Sequence, residues 1–391
     1  MRINLAKLLI FTTALSTIAS MAFAQQTPID VISFLVTNQS VPTGDFQKDQ
    51  AAAAATRDTI VRSLLVNLAS TPIATSSSGF VYRLDPDLGT MTRVSDTFGT
   101  FYVERATTSG RGRASFGASA TATGYDRLDG LNLTDGTLIT TANQFTDEAA
   151  PFDTESLTLK ISARTLTLFG SYGVTDRLEV SAAVPFVDLH VEGSRVNVYR
   201  GQTFVQATGQ ANASGIADTA LRAKYRLVSA GDTSVAAAVE VRLPTGNDAN
   251  LLGAGSAAVR VLGIVSQEHG RIGVHANADL VRGGASAEFG GSGAVTFAAS
   301  PHVTIAGELL ARRLTDLREI VAVSEPHPTI PGVDTLRLVP GDVTPTLSSG
   351  VTGVKWNVHS TMVLSGQVLW RIGSGGLTAP FTPTVAVDYL F

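Results

Sequence analysis

The 391-residue chain contains no cysteine, so a disulfide framework, zinc-thiolate ligation and a cysteine nucleophile are all closed to it. Charge is scarce at 16% and tips acidic, with a formal net charge of -4. That balance excludes a basic protein wrapped on nucleic acid. Long apolar runs are missing too. Beyond residue 24 no stretch offers the ~20 apolar residues that a spanning helix needs, although hydrophobic residues make up 44% of the chain and the mean hydropathy is +0.20. A chain that is apolar on average, never apolar for long, and furnished with 37 glycines fits alternating membrane strands.

What is present at the start reads as an export signal. Arg2 and Lys7 supply positive charge, Leu8 to Ile18 an apolar segment, and Ala22, Phe23 and Ala24 a small-x-small cleavage site before Gln25. Residues 1–24 are therefore expected to be a cleaved signal peptide, whose loss takes the formal charge from -4 to about -6. Residues 25–78 read as a helical plug or periplasmic segment. After Gly44 and Asp45, a capping pair, come five alanines and then Ile60, Val61, Leu64, Leu65 and Leu68 at helical spacing, predicting one amphipathic helix over 45–69. Residues 79–110 read as a short hairpin inside the barrel or part of it, because the segment near 79–84 is too short for the ~9 to 11 residues of a tilted spanning strand.

Residues 111–391 read as an all-β transmembrane antiparallel barrel. Val235, Ala237, Val239, Val241 and Leu243 share one parity while Glu240 and Arg242 hold the other, and Ile272, Val274, Ala276, Ala278 and Leu280 oppose His275, Asn277 and Asp279. Each pattern is weak alone and strong in series. Candidate strands fall near 111–125, 155–171, 177–191, 217–229, 232–243, 255–267, 270–282, 287–299, 302–314, 346–358, 361–372 and 383–391. That is about twelve strands, with fourteen as the alternative if the hairpin joins the wall. Tight links at 229–232, 267–270, 300–301 and 359–360 alternate with long ones at 126–154, 192–216, 244–254 and 315–345, as in outer-membrane barrels with short periplasmic turns and long external loops. A soluble sandwich or lipocalin-like barrel does not predict that alternation.

With the apolar parity toward lipid, the other parity places Lys160, Arg164, Arg222, Lys224, Arg226, Arg242, Arg260, Arg271, Arg312, Lys355 and Arg371 on the lumen. Against them stand Glu179, Asp218, Glu240, Asp279, Glu308 and Asp388, so the wall is expected to be net basic and a pathway for anions or polar solutes. A narrow barrel filled by its own arginine and carboxylate networks, conducting nothing, is the alternative. The final residues place Val387, Tyr389 and Phe391 on one face, which resembles the C-terminal sorting strand read by the barrel assembly machinery, with Ala386 where glycine is expected. Outer-membrane lipids and that machinery are the expected partners, with a small-molecule solute and no nucleic acid.

Catalytic and metal chemistry find no support in the pattern. The six histidines are scattered, only His275 and His302 fall on the polar parity of a strand, and no local signature couples either to a serine. Gly253, Gly255 and the residues after them imitate a dinucleotide glycine pattern, but they lead into a strand rather than a helix. No cofactor is expected.

Two stretches carry more than barrel texture. Gly215, Asp218, Thr219, Lys224 and Tyr225, followed by Leu243, Pro244, Thr245 and Gly246, spell G-x-x-D-T-x-x-x-x-K-Y and L-P-T-G. Together with Tyr172 to Val180 running into Val184, Pro185 and Phe186, they resemble the outer-membrane family named for the meta-pathway of phenol degradation. The resemblance covers roughly residues 157–391. It implies a barrel that transports small hydrophobic or aromatic compounds and has no catalytic residues. From the residues themselves, Asp218 is expected to fix the start of its strand beside Arg222, and Pro244 to Gly246 to end a strand by removing a donor and permitting a positive φ.

Overall fold

The computed structural model describes residues 26–37, 40–69, 82–85, 90–93, 96–359 and 361–391. The expected signal peptide lies outside them. Twelve strands form the wall: β1 (Ala114–Tyr125), β2 (Asp153–Gly173), β3 (Leu178–Tyr199), β4 (Thr219–Ala230), β5 (Thr233–Leu243), β6 (Ala258–His269), β7 (Ile272–Gly283), β8 (Glu288–Ser300), β9 (Val303–Leu314), β10 (Thr346–His359), β11 (Met362–Arg371) and β12 (Phe381–Leu390). Each pairs antiparallel with the next, and β12 returns to β1 through Val387↔Ala118. The sheet is closed, and closure removes its edges.

The outer face is what a hydrocarbon solvent requires. Leu221, Val239, Val261, Val295 and Leu309 stand exposed on it, and aromatic residues gather in two rings. Phe116, Tyr172, Phe297, Trp356 and Tyr389 lie toward the tight turns, while Phe289, Trp370 and Phe381 lie toward the other end. On β8 the two rings are eight residue steps apart, Phe289 to Phe297, about 26 Å along the strand and ~20 Å along the barrel axis at a tilt of about 40°. An apolar band of ~25 Å between aromatic girdles defines a transmembrane barrel. The tight turns join β2 to β3, β4 to β5, β6 to β7, β8 to β9 and β10 to β11, with Gly231 and Gly270 at positive φ in two of them.

Strands β2 and β3 are 21 and 22 residues long, far more than a membrane needs. Beyond the barrel rim β2 pairs with Leu138–Phe145, which pairs with Val333–Pro340 and in turn with Ile320–Pro326, while β3 pairs with Gln202–Ile216. These pieces occupy three of the long links read as loops from the sequence. Two helices pack on the inner side of this extension. Helix α1 (Pro28–Thr37), which hydropathy alone did not show, opens with a reciprocal cap in which the Asp30 N–H donates to Thr27 Oγ1 and the Thr27 N–H to Asp30 Oδ2, both at 3.1 Å. Helix α2 (Phe46–Ala69) matches the predicted helix, and the Lys48 N–H donates to its cap Asp45 at 3.1 Å. Val31, Ile32, Leu35, Ile60 and Leu64 interlock with Leu157, Leu159, Ile161, Leu189 and Val191 in a dry core. Both helices therefore sit at the long-link end, not beneath the tight turns.

The hairpin segment divides in two. Tyr82–Asp85 pairs with Thr90–Arg93 as a two-stranded ribbon apart from the wall. The second strand of that hairpin, expected near 94–105, does not form over the described residues 96–105; Phe98, Phe101, Val103, Glu104, Arg105 and the following Ala106 are instead buried inside the barrel.

Candidate functional site

The buried stretch 97–110 plugs the lumen toward the tight turns, and its backbone, lacking a ladder of its own, is satisfied by wall side chains. Glu308 on β9 accepts the N–H groups of Phe101, Tyr102 at 2.9 Å and Val103 at 3.1 Å. Ser266 Oγ accepts the Ala106 N–H at 2.9 Å, Thr304 Oγ1 accepts the Phe98 N–H at 3.0 Å, and Lys355 Nζ donates to the Thr100 carbonyl at 2.5 Å. Ion pairs add to this. Glu104 meets Arg222 and, at 3.3 Å, Lys224, which is also 3.3 Å from Glu179, while Arg105 lies 3.5 Å from Glu268.

The sequence-predicted lumen residues divide by this geometry. Arg222, Lys224 and Lys355 are buried inside, and Arg242, Arg260, Arg312 and Arg371 also point inward. Arg242 pairs with Glu240 at 2.9 Å, Arg260 with Asp279 at 3.0 Å, Arg312 with Glu288 at 3.4 Å and Arg371 with Asp126 at 2.6 Å. Arg226 is half-exposed at the end of β4, where it donates to the Asp176 carbonyl at 2.8 Å, and Arg271 is exposed in the turn before β7. Lys160 and Arg164 are exposed on the outer face of β2, opposite Glu192 and Asp188 of β3. A single parity rule along the whole of β2 points them inward. Its outer parity runs Lys160, Ser162, Arg164 and then Leu166, Leu168 and Tyr172, so one face leaves water and enters lipid partway along the strand.

The net basic wall is corrected likewise. Glu104 arrives on the plug, Glu268 and Glu288 stand on strands, and all six expected acids are buried inside, so the interior bases meet acids at short range. Glu104 and Arg105 belong to neither strand nor helix, so the alternation that marks the wall does not find them; reading 94–105 as a strand hides their role in the plug.

Between the plug and the end of α2 lies a cavity of about 160 Å³. One side is hydroxylated by Ser119, Thr121, Thr165, Thr167, Thr382 and Thr384; Leu68, Leu310, Leu347, Leu369 and Leu377 form an apolar side. Tyr102, Tyr125, Gln367 and three arginines, Arg242, Arg312 and Arg371, also line it, together with Asn67 and the carboxylate of Asp218.

The two motifs behind the family resemblance meet at the rim. Asp218 Oδ1 accepts the Gly246 N–H at 3.1 Å and Oδ2 the Ala254 N–H at 2.8 Å, while Thr245 Oγ1 donates to the Ala217 carbonyl at 2.8 Å and accepts the Thr219 N–H at 2.9 Å. Asp218 thus latches the 244–254 loop rather than Arg222, which is taken by Glu104 and Glu240. Gly246 does not adopt a positive φ; a Cβ there would stand 2.4 Å from the Leu252 carbonyl oxygen, and one on Gly253 2.4 Å from Asp218 Oδ1. Close approach explains both glycines.

His275 Nδ1 lies 2.9 Å from Ser266 Oγ, a contact the sequence did not disclose. Both residues are buried beneath the plug, and Ser266 is occupied by the Ala106 N–H, so the pair serves to seat the plug. Val387, Tyr389 and Phe391 stand on the outer face as their parity predicts, with the Tyr389 and Phe391 rings 4.8 Å apart.

Comparison with known proteins finds similarity of shape alone. No family model matches it, and no curated protein does. Among solved structures it is similar to an outer membrane channel from Pseudomonas putida F1 at 15% identity and a TM-score of 0.49, covering 73% of this chain and 98% of that one. It is also similar to the NanC porin at 7% identity and TM-score 0.37, covering 69% and 98%, and to the P. putida toluene transporter TodX at 9% and 0.35, covering 71% and 89%. These are outer-membrane channels and porins. The barrel assignment itself rests on the closed register and the apolar belt of this chain.

Proposed function

We propose that the protein is an outer-membrane channel through which small molecules pass by diffusion, gated by the plug at 97–110. The observation that carries this reading is the partly polar cavity of about 160 Å³ inside the barrel, where a barrel built only as a scaffold would be filled with side chains. Its size is near the ~150 Å³ of an engineered cavity that holds benzene, which suits the small hydrophobic or aromatic solutes implied by the family resemblance. The assembly machinery would read Val387, Tyr389 and Phe391 on the last strand. No energy coupling is part of this reading.

The paired interior charges favour a second reading, a non-conducting barrel whose external extension makes the functional contacts. Planar-bilayer recording separates the two. Glu308→Ala strips the acceptor from three plug N–H groups and is expected to raise the open probability several-fold over the unaltered protein. Silence in both proteins would establish the second reading instead.

A further inference from the structure

Three ways into the central cavity are closed. The plug seals it toward the tight turns, the dry core around α1 and α2 covers it along the axis, and the Thr121 and Thr384 hydroxyls meet at 2.9 Å in the wall beside it. On the side of β5 to β9 a second cavity of about 30 Å³ adjoins it, with room for a water. Asp218, Arg242 and Arg312 line both spaces, which therefore share one neck. From that neck the smaller cavity runs to the rim, where Ala254 and Ser256 form one lip and Gly284, Ala285 and Ser286 the other. Ser256 is exposed and Ser286 is buried, so the space leads from solvent to interior within the thickness of the rim. Few bonds hold the lips. The β6 to β7 ladder ends at Ala258↔Gly283, and beyond it the Gly284 N–H donates to the Ala257 carbonyl at 3.1 Å. The second lip is tied instead to α2, whose Arg62 donates through Nη2 to the Ala285 carbonyl at 3.2 Å and through Nη1 to the Asp316 carbonyl at 2.9 Å. A planar fork that serves two carbonyls in separate connections fixes the helix against the lip.

We propose that this offset mouth, rather than the barrel axis, is the external entrance to the central cavity, that Asp218, Arg242 and Arg312 form its neck, and that Arg62 holds its outer lip narrow from α2. Water fits the mouth as it stands, whereas a ring-sized solute requires the 284–286 lip to swing away from the helix. The inference deepens the channel reading and rests on it for physiological meaning, but access is measurable without passage.

Because the chain contains no cysteine, a single thiol placed in the central cavity reports how a reagent arrives. Ser349 on β10 lines that cavity and not the mouth. The test is the rate at which a small water-soluble methanethiosulfonate labels Ser349→Cys in the detergent-solubilised full chain. Arg62→Met in that background is expected to speed labelling about tenfold, the population shift that loss of one or two hydrogen bonds produces. Ala285→Trp should bring the rate down to background by filling the mouth, and Ala122→Trp, on the outer face of β1, should leave it unchanged. Where a variant fails to fold, depth still decides: Ser286→Cys, in the mouth, should react faster than Ser349→Cys in otherwise unaltered chains. Labelling of Ser349→Cys that ignores both Arg62→Met and Ala285→Trp, that is blocked by Ala122→Trp, that outruns Ser286→Cys or that does not occur would overturn the proposal. Planar-bilayer current is scored separately, since labelling through the mouth without current upholds the entrance and removes the channel reading, whereas current with labelling indifferent to the mouth does the reverse.

Discussion

At the scale of single residues, the rim latch shows how a short motif becomes a structural necessity. Asp218 satisfies two loop N–H groups that no strand can serve, and Gly246 and Gly253 let the loop come close enough to be reached. Asp218→Ala is expected to cost about 1–3 kcal/mol for each stranded N–H, read as a lower urea midpoint of the refolded barrel. Gly253→Ala should cost about 1–3 kcal/mol by overpacking against that carboxylate. An unchanged midpoint in both would mean the latch is ornamental. Asp129, in the loop after β1, joins three connections by accepting the Ile320 N–H at 2.9 Å and the Gly376 N–H at 2.6 Å. Burial outweighs those hydrogen bonds and, with Glu319 nearby, pushes its carboxyl up to about 6 from an ordinary 3.8. Because the folded value is the higher one, its contribution is full below pH 3.8 and is lost as pH rises through about 6. The urea midpoint should therefore fall between pH 5 and pH 7.5 in the native chain more than in Asp129→Asn, whose amide does not titrate. Parallel pH profiles for the two proteins would contradict the assignment.

At the scale of elements, alternation made the wall legible and little else. Eleven of the twelve barrel strands fall within a few residues of their sequence-read positions, because two solvents act on opposite faces and impose a period of two, while β3 runs eight residues past its expected end at 191. Where a strand outruns the membrane that logic breaks, and parity alone points Lys160 and Arg164 inward although both face water. Gln202–Ile216 was hidden as a loop by its glycines and amides, and α1 by its brevity, since ten residues hold few helical turns. The plug was the least readable element. It has no period, and its fold is dictated by partners 160 to 207 residues away along the chain, such as Ser266 and Glu308. Removing one such partner should loosen it without unfolding the wall. Glu104→Gln, which disturbs the contacts to Arg222 and Lys224, is expected to speed amide exchange across residues 97–110 at least tenfold while the β6 to β9 ladders stay protected. Uniform exchange across both regions would show that plug and wall are one cooperative unit.

At the scale of the whole molecule, three layers stack along one axis: a plug near the tight turns, a cavity at the middle, and a helix-filled extension beyond the rim. The wall has the apolar belt and aromatic rings of a membrane barrel, yet its interior charges are paired and both ends are occupied. Passage through such a molecule requires the plug to move, and the chain offers a clean way to forbid it, because it contains no cysteine. Ala106 on the plug packs with Ala236 and Ala238 of β5. The decisive measurement is single-channel current through the Ala106→Cys, Ala238→Cys protein in a planar bilayer, recorded oxidised and then after adding a reductant. A mobile plug predicts silence in the oxidised state and current on reduction. Equal current in the two states, or none in either while the unaltered protein is equally silent, would contradict a plug-gated channel.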